Sequence, residues 1–284
     1  MLDSIQKETM TKSILITGCS SGIGYVSAHA LHNRGYQVIA SCRQAQDVKR
    51  LNEQGLTCIQ LDLSDTDSIT KGIQETLAIT EGKLDALFNN GAYGQPGALE
   101  DLPTQALREQ FETNVFGWHE LVKGILPIMR QQGHGRIIQN SSVLGFAAMK
   151  YRGAYNASKF AIEGWTDTLR LELADSNIKI SLLEPGPIET QFRSNALKAL
   201  MKWIDTQNSV HQKAYQQQLS RLDNETSNNS FVLPADACLA PLIDAIESNK
   251  PKIRYRITTP TKIFAILKRL LPTRLLDQIL ARAA

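Results

Sequence analysis

Tyr155 and Lys159 stand four residues apart in Y-N-A-S-K, a spacing that puts both side chains on one face of a helix. A phenol works as an acid or base near neutrality only if its pKa, about 10 in water, is brought down. A lysine ammonium beside it favours the phenolate. Thirteen residues upstream, Ser141-Ser142-Val143-Leu144-Gly145 ends an apolar run, at the edge where a parallel sheet presents its ligand-binding groups. Near the start of the chain, Thr17-Gly18-Cys19-Ser20-Ser21-Gly22-Ile23-Gly24 spaces its glycines as G-x-x-x-G-x-G. Gly18, Gly22 and Gly24 permit a tight turn, and the amides of Ser20, Ser21 and Ile23 then point, with the following helix dipole, at a pyrophosphate.

The same turn also spells G-x-S-x-G over Gly18–Gly22, the elbow of a nucleophilic Ser20. That chemistry needs a later histidine. Of His29, His32, His119, His134 and His211, only His211 lies towards the C-terminal end, inside a polar Gln-rich stretch. The elbow would also follow the first strand rather than several, so nucleophilic hydrolysis is set aside.

Short, continuously apolar runs must position these groups: Ser13–Thr17, Gln37–Ser41, Thr57–Leu61, Ala86–Phe88, Arg136–Gln139 and Ile178–Leu183, with a further strand within Lys252–Thr258. Runs of this kind alternating with amphipathic stretches indicate βαβ units. The fold class is α/β, a doubly wound Rossmann-type parallel sheet with helices on both faces. Helices are expected over Ile23–Asn33, Gln105–Arg130 (bent or ended by Pro127) and Ala154–Asp175. The Gln/Asn/Ser-rich segment Thr206–Ser230 reads as a mobile insertion. One domain over 1–284 is expected, with a substrate lid over 191–232 and a basic amphipathic segment over 260–284.

The chain has 284 residues and a formal charge of +3. Neither disorder nor general nucleic-acid binding follows from that balance. Four cysteines without C-x-x-C spacing read as reduced thiols, with no metal site. The N-terminal M-L-D-S-I-Q-K-E-T-M-T-K lacks an apolar core, and no run reaches the ~20 apolar residues of a membrane span, so a cytoplasmic protein is expected. The charge is uneven: residues 250–284 hold nine basic side chains and one acid, leaving the rest of the chain at −5. There Ile263, Phe264, Ile266, Leu267, Leu270 and Leu271 share a helical face, and Leu275, Leu276, Ile279 and Leu280 continue the pattern past Pro272. Two short helices packed on the body or another subunit, or a peripheral membrane contact, would both use that pattern. Nucleic acid is disfavoured, because no stacking aromatics are interleaved with the charges.

Taken with Asn89-Asn90-Gly91-Ala92 after the fourth strand and Asn114-Val115-Phe116-Gly117 in the first long helix, the set resembles the short-chain dehydrogenase/reductase family over Lys12–Thr190. Its retinol- and hydroxysteroid-dehydrogenase-like branch and bacterial NADP-dependent aldehyde reductases resemble the chain most, through T-G-C-S-S-G-I-G, L-E-P-G-P-I-E-T and K-R-L-L-P. The resemblance implies that Tyr155 protonates a carbonyl oxygen, Ser142 hydrogen-bonds that oxygen, Lys159 holds the nicotinamide ribose and Asn114 positions a water relaying protons. It further implies that Pro185, Gly186, Ile188 and Thr190 meet the nicotinamide, that Asp62 and Leu63 lie at the adenine, and that Asn90 and Gly91 back the cofactor. The family's usual N-N-A-G stands here as N-N-G-A. A homodimer or homotetramer through the long helices is also implied.

At the end of the second strand Ala40-Ser41-Cys42-Arg43 lacks the acid that would bond a free ribose 2′-hydroxyl. Arg43 is placed instead to pair with a 2′-phosphate, so NADP(H) is expected over NAD(H). Phe192, Leu197, Leu200, Met201 and Trp203 recur at helical spacing, and Tyr93, Leu144, Met149 and Tyr151 flank the catalytic positions. A hydrophobic aldehyde or ketone is the expected substrate. The alternative function is a non-catalytic nicotinamide-binding sensor or membrane-surface scaffold, which has no need of Tyr155.

Overall fold

The computed structural model describes residues 11–223 and 230–282. Seven strands form one sheet: β1 (Ser13–Ile16), β2 (Gln37–Cys42), β3 (Thr57–Gln60), β4 (Ala86–Asn89), β5 (Gly135–Asn140), β6 (Ile178–Glu184) and β7 (Arg254–Arg256). Their order is β3-β2-β1-β4-β5-β6-β7, and every pairing is parallel. Alternate residues of each strand enter different cores. Leu15, Ile39, Leu87 and Ile137 point to one face, and Ile14, Ile16, Val38, Phe88 and Ile138 to the other. Burial on both faces explains why the sequence shows continuous apolar runs rather than alternation.

The helices are α1 (Gly22–Asn33), α2 (Ala45–Glu53), α3 (Thr66–Ile79), α4 (Thr104–Phe111), α5 (Gly117–Gln132), α6 (Gly153–Glu172), α7 (Phe192–Trp203), α8 (Gln212–Asp223), α9 (Leu239–Glu247), α10 (Thr259–Leu270) and α11 (Thr273–Arg282). Trp118, Leu121, Val122 and Ile125 of α5 and Ile162 and Leu169 of α6 fill the first core. Ala28 and Leu31 of α1 and Leu242 and Ile246 of α9 fill the second. The strand order reverses between β1 and β4, and a doubly wound sheet binds its ligand in the crevice at such a point.

Three expectations are corrected. The helix expected over Gln105–Arg130 is divided by a π-helical segment, Glu112–Phe116, between α4 and α5. Pro127 does not end α5, which runs to Gln132 and stops at Gly133, whose φ is 79°. Pro127 is exposed, so the Lys123 carbonyl deprived of its N–H partner has water at hand. Within the segment expected to be mobile, α8 is anchored by buried Tyr215, whose hydroxyl donates to Asp101 at 2.6 Å and accepts from the Ala98 amide at 2.9 Å. The remainder of that segment, 224–229, lies outside the described residues.

Candidate active site

The turn between β1 and α1 is built against the end of β4. Gly18 has φ 71°, and a Cβ there would lie 2.5 Å from the Gly91 Cα. Gly22, at φ 59°, faces Thr190, whose Cγ2 would be 2.8 Å from an added Cβ, and Gly24 abuts the Gly18 carbonyl. Ser21 caps α1 without a side-chain hydrogen bond, leaving the first amides of the helix free for an anion. The Thr17 hydroxyl accepts from the amides of Asn90 and Gly91, both at 2.9 Å, and the Asn90 side-chain amide donates to the Thr17 carbonyl at 2.8 Å. The inverted N-N-G-A suits this arrangement. A side chain at Gly91 would meet Leu63 Cδ1 at 2.8 Å, and neither Gly91 nor Ala92 has a positive φ.

One continuous cavity of about 690 Å³ runs from this turn to the end of β5 and the start of α6. Its wall includes Gly18, Ser20, Ser21, Gly22, Ile23, Asn90, Gly91, Ser142, Tyr155, Lys159, Pro185, Gly186, Ile188 and Thr190. These expected site residues, far apart in the chain, thus share one space. Gly24, Arg43, Asp62, Leu63 and Asn114 are not on that wall. Gly24 and Leu63 pack behind the glycines. Arg43 is exposed beyond β2. The Asp62 carboxylate accepts from the amide and hydroxyl of Ser64. The Asn114 side chain is fully engaged: Nδ2 donates to the Tyr93 carbonyl at 2.9 Å and to Ser158 Oγ at 3.2 Å, and Oδ1 accepts from the Tyr93 amide at 3.2 Å. These bonds hold the loop after β4 against α6 through Tyr93 and Ser158.

Tyr155 and Lys159 lie one turn apart on α6. The Ser142 hydroxyl is near enough to the Tyr155 phenol to favour its ionised form and accepts from the Leu144 amide at 3.1 Å, which fixes it at the mouth of the β5–α6 connection. Lys159 is buried. Its Nζ donates to the Asn140 carbonyl at 2.7 Å and lies 4.3 Å from the Trp118 ring centre and 5.6 Å from that of Tyr155. Burial pulls the lysine pKa down to about 7, against a raising influence from Glu163. Burial also pushes the Tyr155 phenol up to about 12, with Ser142 and Arg152 opposing. In the chain by itself desolvation outweighs the neighbours of Tyr155, and burial draws Lys159 itself toward neutrality; the expected depression is tied to a cationic lysine and a bound nicotinamide.

Several contributors escaped the sequence analysis. Glu163 follows Lys159 by one more turn of α6, accepts from the Ser141 hydroxyl, and is paired with Arg254 of β7 at 3.1 Å. The repeated four-residue step Tyr155, Lys159, Glu163 was the available signal. Phe192, already named in the apolar stripe, stacks edge-on against Tyr155 at 5.2 Å from the start of α7, a contact its spacing did not show. Arg50 of α2 holds the glycine turn from outside by donating to the Ser20 carbonyl at 2.7 Å. Trp118 donates to the Gly91 carbonyl at 2.9 Å, joining the cofactor-side loop to the lysine it stacks on.

Comparison with known proteins agrees with this geometry. The short chain dehydrogenase family model matches residues 12–200. The uncharacterized oxidoreductase YbbO of Escherichia coli K12 is 41% identical over 273 residues, covering 96% of this chain and 95% of its own. Human retinol dehydrogenase 8 is 38% identical over 196 residues, 66% of this chain and 62% of its own. Among solved structures, a short-chain dehydrogenase/reductase of Burkholderia phymatum in complex with NAD superposes with a TM-score of 0.76 at 27% identity, covering 95% of both chains. With a parallel seven-stranded sheet, a glycine turn at its switch point and Ser142, Tyr155 and Lys159 converging on one cavity, the chain belongs to the short-chain dehydrogenase/reductase family, in its retinol-dehydrogenase-like type.

Proposed function

We propose that this oxidoreductase reduces an apolar aldehyde or ketone to the alcohol with NADPH, the reaction being reversible. The observation that carries this is the placement of the Tyr155 phenol, the Ser142 hydroxyl and Lys159 on the same cavity as the glycine turn. The residues fit a dinucleotide. Gly18 and Gly22 leave a cradle that any Cβ would fill, the first amides of α1 are free, and the buried Asn140 Oδ1 has no partner. Ser20, Ser21 and Ile23 would hold the pyrophosphate, Lys159 the nicotinamide ribose, Ile188 and Thr190 the carboxamide, and Asp62 and Leu63 the adenine end. When bound, the nicotinamide supplies the hydride that reaches the carbonyl carbon.

The chain's own residues handle the oxygen. Tyr155 donates its proton to the carbonyl oxygen as charge develops there, and the Ser142 hydroxyl donates a second hydrogen bond. Lys159, when protonated, favours the phenolate that is left. Asn114 keeps the β4 loop against this group through Tyr93. α7 and α8 serve as the lid: Phe192 touches the Tyr155 ring, and Leu144, Met149, Phe192 and Phe264 give the substrate end an apolar wall, in keeping with a relative named for retinol. All four cysteines are free and buried, which suits the expected cytoplasm. Among the described residues no helix is long and apolar enough to cross a membrane. Exposed Phe116 beside α5 and Leu171 on α6 mark the face for a homodimer or homotetramer.

The direct test is NADPH and NADH oxidation by purified protein across aliphatic, aromatic and terpenoid aldehydes and ketosteroids. Turnover should favour NADPH and rise with substrate apolarity, and turnover confined to polar sugars or acids would overturn the proposal. Arg43→Ala should cost about 10- to 100-fold of the NADPH/NADH ratio in kcat/KM, the worth of one charge-assisted hydrogen bond of about 1.5–3 kcal/mol. An unchanged ratio would remove Arg43 from the 2′-phosphate.

Glu163→Gln tests the lysine. The carboxylate favours cationic Lys159, so its loss lets the lysine deprotonate at lower pH than the present value near 7. The basic limb of the kcat/KM profile should move to lower pH, with activity near pH 8 falling several-fold and cofactor affinity at pH 6 retained. A uniform loss at every pH would instead indicate disturbed packing.

A further inference from the structure

The last two helices have an inner and an outer side of different chemistry. α10 turns Thr261 and Ala265 inward, both buried, and places Pro260 and Phe264 on the wall of the catalytic cavity. Its opposite side carries Ile263, Ile266 and Leu270, which are 47%, 57% and 73% exposed. Steps of three and four residues align them in one stripe. On α11, Leu275 and Ile279 are 49% and 37% exposed. None of the five joins a buried cluster or packs against one. Five large aliphatic side chains on two adjacent helices exceed the scattered exposure ordinary for a surface.

The charge around the stripe is mostly basic, Asp277 being the one acid within residues 250–284. Residues 250–284 carry +8 against −5 for the rest of the chain. Lys268 and Arg269 of α10 also line a second cavity of about 420 Å³ together with Arg254, Arg256, Glu163 and Glu184. The two arginines of β7 are committed to acids there: Arg254 pairs with Glu163, Asp167 and Glu184, and Arg256 with Glu184. Lys268 and Arg269 have no acidic partner among the described residues, Lys268 resting over the Phe160 ring at 4.8 Å. Lys262, Arg269 and Arg274 are exposed around the apolar stripe.

We propose that α10 and α11 dock the protein on an anionic phospholipid surface, with Ile263, Ile266 and Leu270 entering the headgroup–acyl boundary and Lys262, Arg269 and Arg274 meeting lipid phosphates. Charge complementarity selects this occupant. A second copy placed on the stripe by a two-fold axis would oppose one +8 segment to another, whereas an anionic leaflet attracts the basic residues and receives the aliphatic ones together. The docked helix is also a wall of the catalytic cavity through Phe264, so an apolar carbonyl compound dissolved in lipid would lie close to the cavity. Docking itself does not depend on which carbonyl is reduced.

The test uses the full chain in co-sedimentation with vesicles of phosphatidylcholine alone and of equal parts phosphatidylcholine and phosphatidylglycerol. Binding to the mixed vesicles should be at least ~10-fold tighter, since each basic residue near such a surface is worth roughly fivefold. It should be released at high salt as the screening length falls from about 8 Å to about 3 Å. The double variant Ile266→Asn/Leu270→Asn should lose vesicle binding at unchanged NADPH affinity. Lys262→Glu/Arg269→Glu should lose the preference for phosphatidylglycerol. Equal binding of the wild type to both vesicle types, or to neither, would overturn the proposal. Failure to bind vesicles together with a lower light-scattering mass for Ile266→Asn/Leu270→Asn would assign the stripe to a contact between copies.

Discussion

Replacing Tyr155 by Phe should lower kcat by about 10³-fold or more while leaving NADPH affinity within about twofold, the loss expected for removing a positioned general acid. The substitution deletes one oxygen. It keeps the ring that stacks on Phe192 at 5.2 Å and stands 5.6 Å from the Lys159 ammonium, so neither the lid contact nor α6 is disturbed. The Ser142 hydroxyl still accepts from the Leu144 amide at 3.1 Å and remains available to the substrate. Stopped-flow turnover beside a fluorescence titration of NADPH separates the two effects. Retention of more than a tenth of the wild-type rate would mean that the proton comes from elsewhere. Loss of NADPH binding in parallel would make Tyr155 a structural residue.

The phenol that this experiment removes is poorly acidic in the chain by itself. Burial holds Tyr155 at about 12 and Lys159 near 7, so the two groups are pushed in opposite directions by the same desolvation. A charged or strongly polar occupant of the cavity would act on both at once, because both line it. A cation near the phenol lowers its pKa, and a hydrogen-bond acceptor near Nζ raises that of the lysine. Binding of such an occupant would thereby be linked to the acidity of the phenol. The sequence carried the pair but not this balance, which depends on how completely α5, β5 and α6 enclose the lysine.

Much else was legible for a definite reason. Strands buried on both faces announce themselves as largely apolar runs, so β1 to β6 lie where the sequence placed them, with ends shifted by a residue or two, while the edge strand β7, Arg-Tyr-Arg, falls within the broader segment marked for it. The π-helical Glu112–Phe116 had no such signal, since Glu-Thr-Asn-Val-Phe carries no glycine or proline to mark a break and the irregularity comes from packing. A Cβ at Gly117 would sit against the Leu63 carbonyl, showing how closely that turn is pressed on the loop after β3. α8 was missed because its largely polar sequence hides the apolar residues that anchor it, Tyr215 and Leu219. At the site, residues linked to chemistry by type were found, whereas Glu163, Trp118 and Arg50 act through what they touch. Only the three-dimensional neighbourhood identifies such residues.

Gly18→Ala should weaken NADPH binding by about 100-fold or more, the scale at which a displacement near 1 Å is felt at a site. Two effects act together. An alanine at φ 71° pays left-handed strain of about 1–2 kcal/mol, and its Cβ would stand 2.5 Å from the Gly91 Cα, backbone that has no rotamer through which to yield. The turn must therefore move away from β4, carrying with it the Asn90 and Thr17 bonds that aim the first amides of α1. Gly35→Ala separates the two effects, because Gly35 shares the positive φ, at 85°, but meets nothing within 4 Å. Gly35→Ala should lower Tm by a few degrees and leave NADPH affinity untouched. Gly18→Ala should lower Tm by about 5 °C or more, from strain plus overpacking of roughly 1–3 kcal/mol, and also lose the cofactor. If both variants bind NADPH equally well, the close approach of Gly18 to Gly91 does not shape the cradle, and the anion site must be sought elsewhere along the cavity.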